Sequence, residues 1–188
     1  DGDDTTHHGV VTDTANINGD NAYQVVFLDG VTNESITEAT VMDGFTITAG
    51  DDASYGAGLL CDGGNPGSDC SPILRNITFS GNLAEDGGGM FCDGKYGGNS
   101  SPRVTNVVFS GNQASAGNGG GMYNDGDEGN SSPELTDITF SGNRASASGP
   151  YGGLGGGMYN RGVSGGNASP TLTNVSFVGN VADRKSVV

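Results

Sequence analysis

Tryptophan is absent from this 188-residue chain, only 15% of residues are charged, and 7 basic residues stand against 22 acidic ones. With a net charge of −15, the chain repels nucleic acid and anionic membrane surfaces, so neither is an expected partner. Cations, neutral glycans and basic surfaces fit that charge better. No apolar run reaches 18 residues, which excludes a membrane-spanning helix and membrane insertion by that route. An apolar period of 3.6 is also missing, so amphipathic helices are not expected. The chain opens on Asp1-Gly2-Asp3-Asp4, with neither Met nor a leader-like apolar stretch, and the expectation is a processed or truncated start. Two histidines and three cysteines leave little material for a Cys/His site; His7 and His8 sit side by side near a chain end.

Gly is abundant, at 36 residues, but without a collagen-like triplet. Its positions follow an internal repeat. Ser-Pro, an apolar residue, Asn, a short strand and Phe-Ser-Gly-Asn recur in four related copies, the first running Ser71-Pro72-Ile73-Leu74-Arg75-Asn76-Ile77-Thr78-Phe79-Ser80-Gly81-Asn82. The others run Ser101 to Asn112, Ser132 to Asn143, with Asp137 at the Asn position, and Ser169 to Asn180, with Val178 in place of Ser, at intervals of 30, 31 and 37 residues. A degenerate copy spans Thr40 to Gly50. A second box precedes each later Ser-Pro: Gly87-Gly88-Gly89-Met90-Phe91-Cys92, Gly119 to Asn124 and Gly155 to Asn160, with Gly56 to Cys61 as its earliest form.

In Ile77-Thr78-Phe79-Ser80 apolar and polar residues alternate, which is the period of a strand. Four inward columns result. They are Phe45/Ile77/Val107/Ile138/Val175, Ile47/Phe79/Phe109/Phe140/Phe177, Met42/Leu74/Val104/Leu135/Leu172 and Leu59/Met90/Met122/Met158. One repeat cannot bury such a set alone, whereas parallel stacking about 4.8 Å apart gives every residue a counterpart above and below. The expected fold is all-β: a parallel β-helix of about five coils with three short strands each. It forms a single domain over residues 1–182, with 1–39 as an irregular first coil that includes strands at Val10-Val11 and Tyr23 to Leu28, and 40–182 as regular coils. Asn76, Asn106, Asp137 and Asn174 each stand between two strands as one-residue turns, where Asn and Asp tolerate left-handed angles and can form a ladder; Asn82, Asn112, Asn143 and Asn180 are expected to end the next strand in the same way. Asp183 to Val188 breaks the repeat and is encodable by the short-read sequencing adapter GATCGGAAGAGCGTCGTG; the expectation is a non-native tail on a fragment of a longer protein from an environmental bacterium.

The Phe-Ser-Gly-Asn boxes match the FxxN box of chlamydial polymorphic outer-membrane protein repeats, and Gly-Gly-Gly-Met resembles their GGA[ILV] box with Gly in place of Ala. The chain also resembles long right-handed β-helix repeat proteins of environmental bacteria in the pectin-lyase-like superfamily, from roughly Thr40 to Ala182, which implies a right-handed parallel β-helix. The resemblance implies secretion or display on a bacterial cell surface, sometimes as an adhesin. It does not imply one activity, because the fold hosts lyases, hydrolases, adhesins and tailspikes.

Cys61 and Cys92 hold the same repeat position in adjacent coils, close enough to bridge, and Cys61–Cys92 is the expected disulfide, with Cys61–Cys70 as the alternative. Asp62, Asp93 and Asp125 follow the second box in successive coils, and with Asp127 and Glu128 they form an oxygen-rich set of the kind Ca²⁺ takes. No cofactor is required by the motifs, and no calcium nonapeptide or EF-hand loop is present. If the Met column points inward, Phe91, Tyr123 and Tyr159 point outward as a row of rings suited to stacking on the sugars of a polysaccharide or cell-surface glycan. Thr46/Thr48, Thr78/Ser80, Val108/Ser110, Thr139/Ser141 and Ser176/Val178 give two hydroxyl-rich columns similar to those of ice-binding β-helices. No catalytic residues are assigned: no carboxylate pair suited to glycoside hydrolysis and no basic proton acceptor with it stands out. The functional expectation is a non-catalytic extracellular module for adhesion or glycan contact. A polysaccharide lyase or glycoside hydrolase fragment is the first alternative, and ice binding the second. The stacked ends lack recognisable caps, so end-to-end self-association is also expected.

Overall fold

The computed structural model describes residues 10–17, 19–32, 34–51, 53–146 and 152–184. Asp1 to Asp4, His7, His8 and the tail from Lys185 onward lie outside them.

The described residues form one parallel β-solenoid with three sheets. The first sheet is built from eight-residue strands, Ile73–Ser80, Arg103–Ser110, Glu134–Ser141 and Thr171–Val178, preceded by Val41–Asp43 and Thr46–Thr48. We call it the long sheet. Each long strand bends where Asn76, Asn106, Asp137 or Asn174 takes a φ of 52° to 57°, so the one-residue turns are where the sequence placed them. In the first rung Gly44, at φ 80°, takes that place between the two short strands.

The second sheet, here the Met sheet, stacks Val26–Asp29, Leu59–Asp62, Met90–Asp93, Met122–Asp125 and Met158–Arg161. Its five rungs enclose about four turns. A third, narrow sheet was not foreseen: Ala53–Tyr55, Leu83–Asp86, Gln113–Ala114, Arg144–Ala145 and Val181–Ala182. Its inward file is Ala84/Ala114/Ala145, all at most 1% exposed. In the Gly boxes that follow, a side chain would run into the backbone of the next rung. A methyl on Gly121 would lie 2.5 Å from the Gly157 carbonyl oxygen and 2.9 Å from the Phe140 ring.

The registers are those of the repeat. Phe79 pairs with Phe109, Phe109 with Phe140 and Phe140 with Phe177. The rings stack at centroid separations of 4.8, 4.7 and 4.8 Å, within 9° of coplanar. Leu59, Met90, Met122, Leu74, Val104, Leu135, Ile77, Val107 and Ile138 complete the core, each at most 1% exposed.

The second Asn set differs from its expected role. The left-handed angle at that corner belongs to Gly81, Gly111, Gly142 and Gly179, at φ 59° to 62°. Gly adopts it without steric cost, which frees the following Asn to point inward. Asn82 Nδ2 donates to Asn112 Oδ1 at 2.8 Å, Asn112 Nδ2 to Asn143 Oδ1 at 3.0 Å, and Asn143 Nδ2 to Asn180 Oδ1 at 2.8 Å. The same amides also donate to the carbonyls of Ile47, Phe79 and Phe109, so buried backbone acceptors are met as well.

The first coil is in part as expected. Val26–Asp29 is a rung in register with Leu59–Asp62. Val10-Val11 is not a strand of any sheet. It belongs to an arm that runs along the outside: the Val11 amide donates to Thr48 Oγ1 at 2.9 Å, its carbonyl accepts from Ser80 Oγ at 2.6 Å, and Thr14 reaches Gln113 at 3.1 Å. At the other end, the Asp183 amide donates to the Ala145 carbonyl and its carboxylate meets Arg144 at 3.2 Å.

Candidate ligand surface

On the Met sheet, residues alternate between the core and the outer face. Met90 and Cys92 point inward; Phe91 and Asp93 point outward. The outer face therefore carries a ring file, Phe27/Leu60/Phe91/Tyr123/Tyr159, beside a charge file, Asp29/Asp62/Asp93/Asp125/Arg161, both fixed by register.

The ring file is not the exposed row the sequence suggested. Phe91 is fully buried and Tyr123 is 5% exposed; Tyr159 is half-buried. Tyr55 meets Phe91 at 4.8 Å and Phe91 meets Tyr123 at 4.7 Å, both with tilted rings, and Tyr123 meets Tyr159 edge-to-face at 5.0 Å. The side chain of Lys95 lies over this ladder, 5.2 Å from the Tyr55 ring and 5.6 Å from Phe91, and 5.9 Å from Tyr96. Phe27, on the first rung of the file, is 52% exposed, and around Lys95 the exposed rings are Tyr55 and Tyr96, at 41% and 56%. Neither was singled out from sequence, because both lie outside the repeated boxes, one on the narrow sheet and one in a variable loop.

The carboxylates stack as expected, but cations of the chain itself accompany them. Lys95 Nζ is 3.0 Å from Asp93 and 4.0 Å from Asp125. Arg161 meets Asp125 at 3.0 Å and Asp127 at 2.7 Å. Asp62 accepts from the Gly64 amide, and Glu128 is exposed at a left-handed turn. Among the described residues no three His, Cys, Asp or Glu side chains converge on a point that could hold a metal ion. The expected Ca²⁺ ligands thus share one face without forming one cage.

Burial dominates the titration of this face. It raises Asp93 above the ordinary carboxylate range even though Lys95 opposes the shift. Asp86, which accepts from the Asn118 amide at 2.6 Å, is raised by burial too, with Glu85 and Asp125 adding to it. Burial alone would lower the Lys95 ammonium, yet Asp93 and Asp125 outweigh it and the net shift is upward. Burial also pushes the Tyr123 phenol upward, so it stays protonated as a donor.

The disulfide is Cys61–Cys70, with Cα atoms 5.6 Å apart, and Cys92 is a buried free thiol held protonated by burial, its pKa pushed up to about 12. The expectation of Cys61–Cys92 fails on direction. The two are register partners one rung apart, but their side chains project across a corner of the same coil rather than along the axis. Across that corner Cys61 faces Cys70 and Cys92 faces Ser100, since the loops preceding the long strands are also paired in register. Outside this corner runs a further ladder that sequence reading missed: Asn99, Asn130 and Asn167 each donate to the Asp or Asn of the rung before (2.6 to 3.0 Å) and to the Ser of its Ser-Pro (2.8 to 2.9 Å).

Of the two hydroxyl columns, one is engaged by the arm at Thr48 and Ser80, and Ser80 is 2% exposed. No family model, curated protein or solved structure matches the chain.

Proposed function

We propose that this chain is a non-catalytic extracellular or cell-surface β-helix module that contacts glycan through the outer face of the Met sheet. The observation that carries the reading is the pair of exposed rings, Tyr55 and Tyr96, set around the Lys95 ammonium, with Tyr159 half-exposed further along the same face. Aromatic faces stack on sugars, and an ammonium with nearby carboxylates supplies donors and acceptors for their hydroxyls. The Cys61–Cys70 disulfide supports an oxidising, exported location. The likeness of the Phe-Ser-Gly-Asn and Gly-Gly-Gly-Met boxes to chlamydial surface repeats and to pectin-lyase-like β-helices supports bacterial surface display.

One observation favours a second reading, a polysaccharide lyase or hydrolase. Burial favours the protonated form of Asp86 and Asp93 on the face that also holds Lys95, and a carboxyl shifted in that direction is the kind that general acid catalysis uses. A glycan array, repeated with Tyr96→Ala, separates the two, and uronide polymers are incubated with the chain in parallel. Binding that Tyr96→Ala abolishes, with the polymers intact, is the expected result. Degraded polymers without glycan binding overturn it. Calcium titration of thermal stability, run alongside, tests whether the Asp62, Asp93, Asp125, Asp127 and Glu128 face takes the ion.

A further inference from the structure

Lys95 shows which group the outer face of the Met sheet favours. Its ammonium lies 5.2 Å from the Tyr55 ring, 5.6 Å from Phe91 and 5.9 Å from Tyr96, and 3.0 Å from the Asp93 carboxylate. Ring faces and carboxylates both attract a cation. Asp93 and Asp125 hold Lys95 in its charged form even though burial opposes the charge. A ligand cation laid on this face would meet the same two kinds of group.

Asp86 is the carboxylate left for such a cation. Asp93, Asp125 and Asp127 already share Lys95 and Arg161. Among the described residues no cation comes within ion-pair distance of Asp86, and its one hydrogen-bond donor is the Asn118 amide, on Oδ1. Glu85 and Asp125 add to the negative potential around it. Asp86 is half-buried and is the register partner of Tyr55, whose ring is 41% exposed. Adjacent rungs lie about 4.8 Å apart, close to the length of one sugar residue along a chain. A sugar ring resting on Tyr55 therefore reaches Asp86 with a substituent. An ammonium there neutralises Asp86. A ligand carboxylate would be repelled by it, and would find Lys95 already committed to Asp93 and Asp125.

We propose that the glycan taken by this face carries free amines, with a sugar ring on Tyr55 and its ammonium against Asp86. The ligand class is a glucosamine-type oligosaccharide. A polyuronide has the opposite charge, and a fully N-acetylated chain has none. The inference rests on the glycan reading of this face. The net charge of −15 draws any cation toward the chain; Asp86 and Tyr55 are what fix its place.

Isothermal titration calorimetry on the whole chain compares glucosamine oligomers with N-acetylated oligomers of equal length and with oligogalacturonate, in mildly acidic buffer that keeps the sugar amine charged. The free-amine oligomer binds about fivefold or more tightly than its acetylated counterpart. High salt narrows that gap, and oligogalacturonate does not bind. Asp86→Asn closes the gap. Glu134→Gln, which removes one carboxylate from the long sheet instead, keeps it. Circular dichroism confirms that both variants are folded. Equal or tighter binding of the acetylated oligomer overturns the inference and leaves glycan contact by this face standing. So does a gap that Asp86→Asn leaves intact, or one that Glu134→Gln closes as well. If neither oligomer binds, the inference falls, and the glycan array decides the wider reading on its own.

Discussion

Single residues in this fold are judged by the direction in which they point. Asn112 and Asn106 lie six residues apart on one rung, both in ladders, yet Asn112 is fully buried and Asn106 is exposed. Replacing Asn112 by Ala removes its bonds to Phe79 and Asn143 and strands the amide of Asn82. With buried unmet groups costing about 1–3 kcal/mol each, the Asn112→Ala chain loses about 3 kcal/mol or more in urea denaturation, and Asn106→Gly, which keeps the left-handed angle, loses far less. The disulfide corner makes a second prediction. Ser100 faces Cys92 as Cys70 faces Cys61, so Ser100→Cys forms a second bridge, and peptide mapping finds no free thiol; two persisting thiols would refute the corner geometry. Asp86 supplies a third. Its folded pKa lies above the unfolded value, so the native state holds the proton more tightly, and stability falls as pH rises from the ordinary carboxylate range through the raised value. Asp86→Asn, which can still accept from Asn118, raises the melting temperature at pH 7. Its advantage shrinks at pH 3, where Asp86 itself is neutral.

At the level of strands, a file distributes its energy unevenly along the axis. Phe109 and Phe177 are the same residue in the same file, one fully buried and one 49% exposed. Phe109→Ala costs about 4 kcal/mol, the range for a buried ring, and Phe177→Ala well under half of that, as read from guanidinium midpoints. The long sheet, its inward files and its Asn bends were legible in the sequence because alternation and repeat spacing both report on them. The narrow sheet was not. Two residues such as Gln113-Ala114 are too few to show a period, although Ala two places after Asn82, Asn112, Asn143 and Asn180 was a signal of it. The outer face was half legible: the ring and carboxylate files are where the repeat put them, but their burial depends on Lys95, Tyr55 and Arg161, which occur once each. Repetition reveals what every coil shares and is silent on what single coils add. The disulfide was misplaced for a related reason. Register shows which residues are neighbours along the axis, whereas side-chain direction at a corner depends on the loop facing it, where Cys70 holds the place that Ser100 and Ser131 take in later coils.

Across the whole molecule, sheet pairing joins each rung only to the next, while the arm from Val11 to Thr14 reaches over several of them, to Thr48, Ser80 and Gln113. One face concentrates rings and charges around Lys95, and a second side carries the arm from Val11 to Thr14. All of it depends on equivalent residues of successive repeats lying over one another. Ring-proton NOEs in a chain labelled only at Phe measure that most directly. The account predicts cross-peaks between Phe79 and Phe109, between Phe109 and Phe140, and between Phe140 and Phe177, and none between Phe79 and Phe140. Absent neighbour cross-peaks, or a strong one between Phe79 and Phe140, would contradict it.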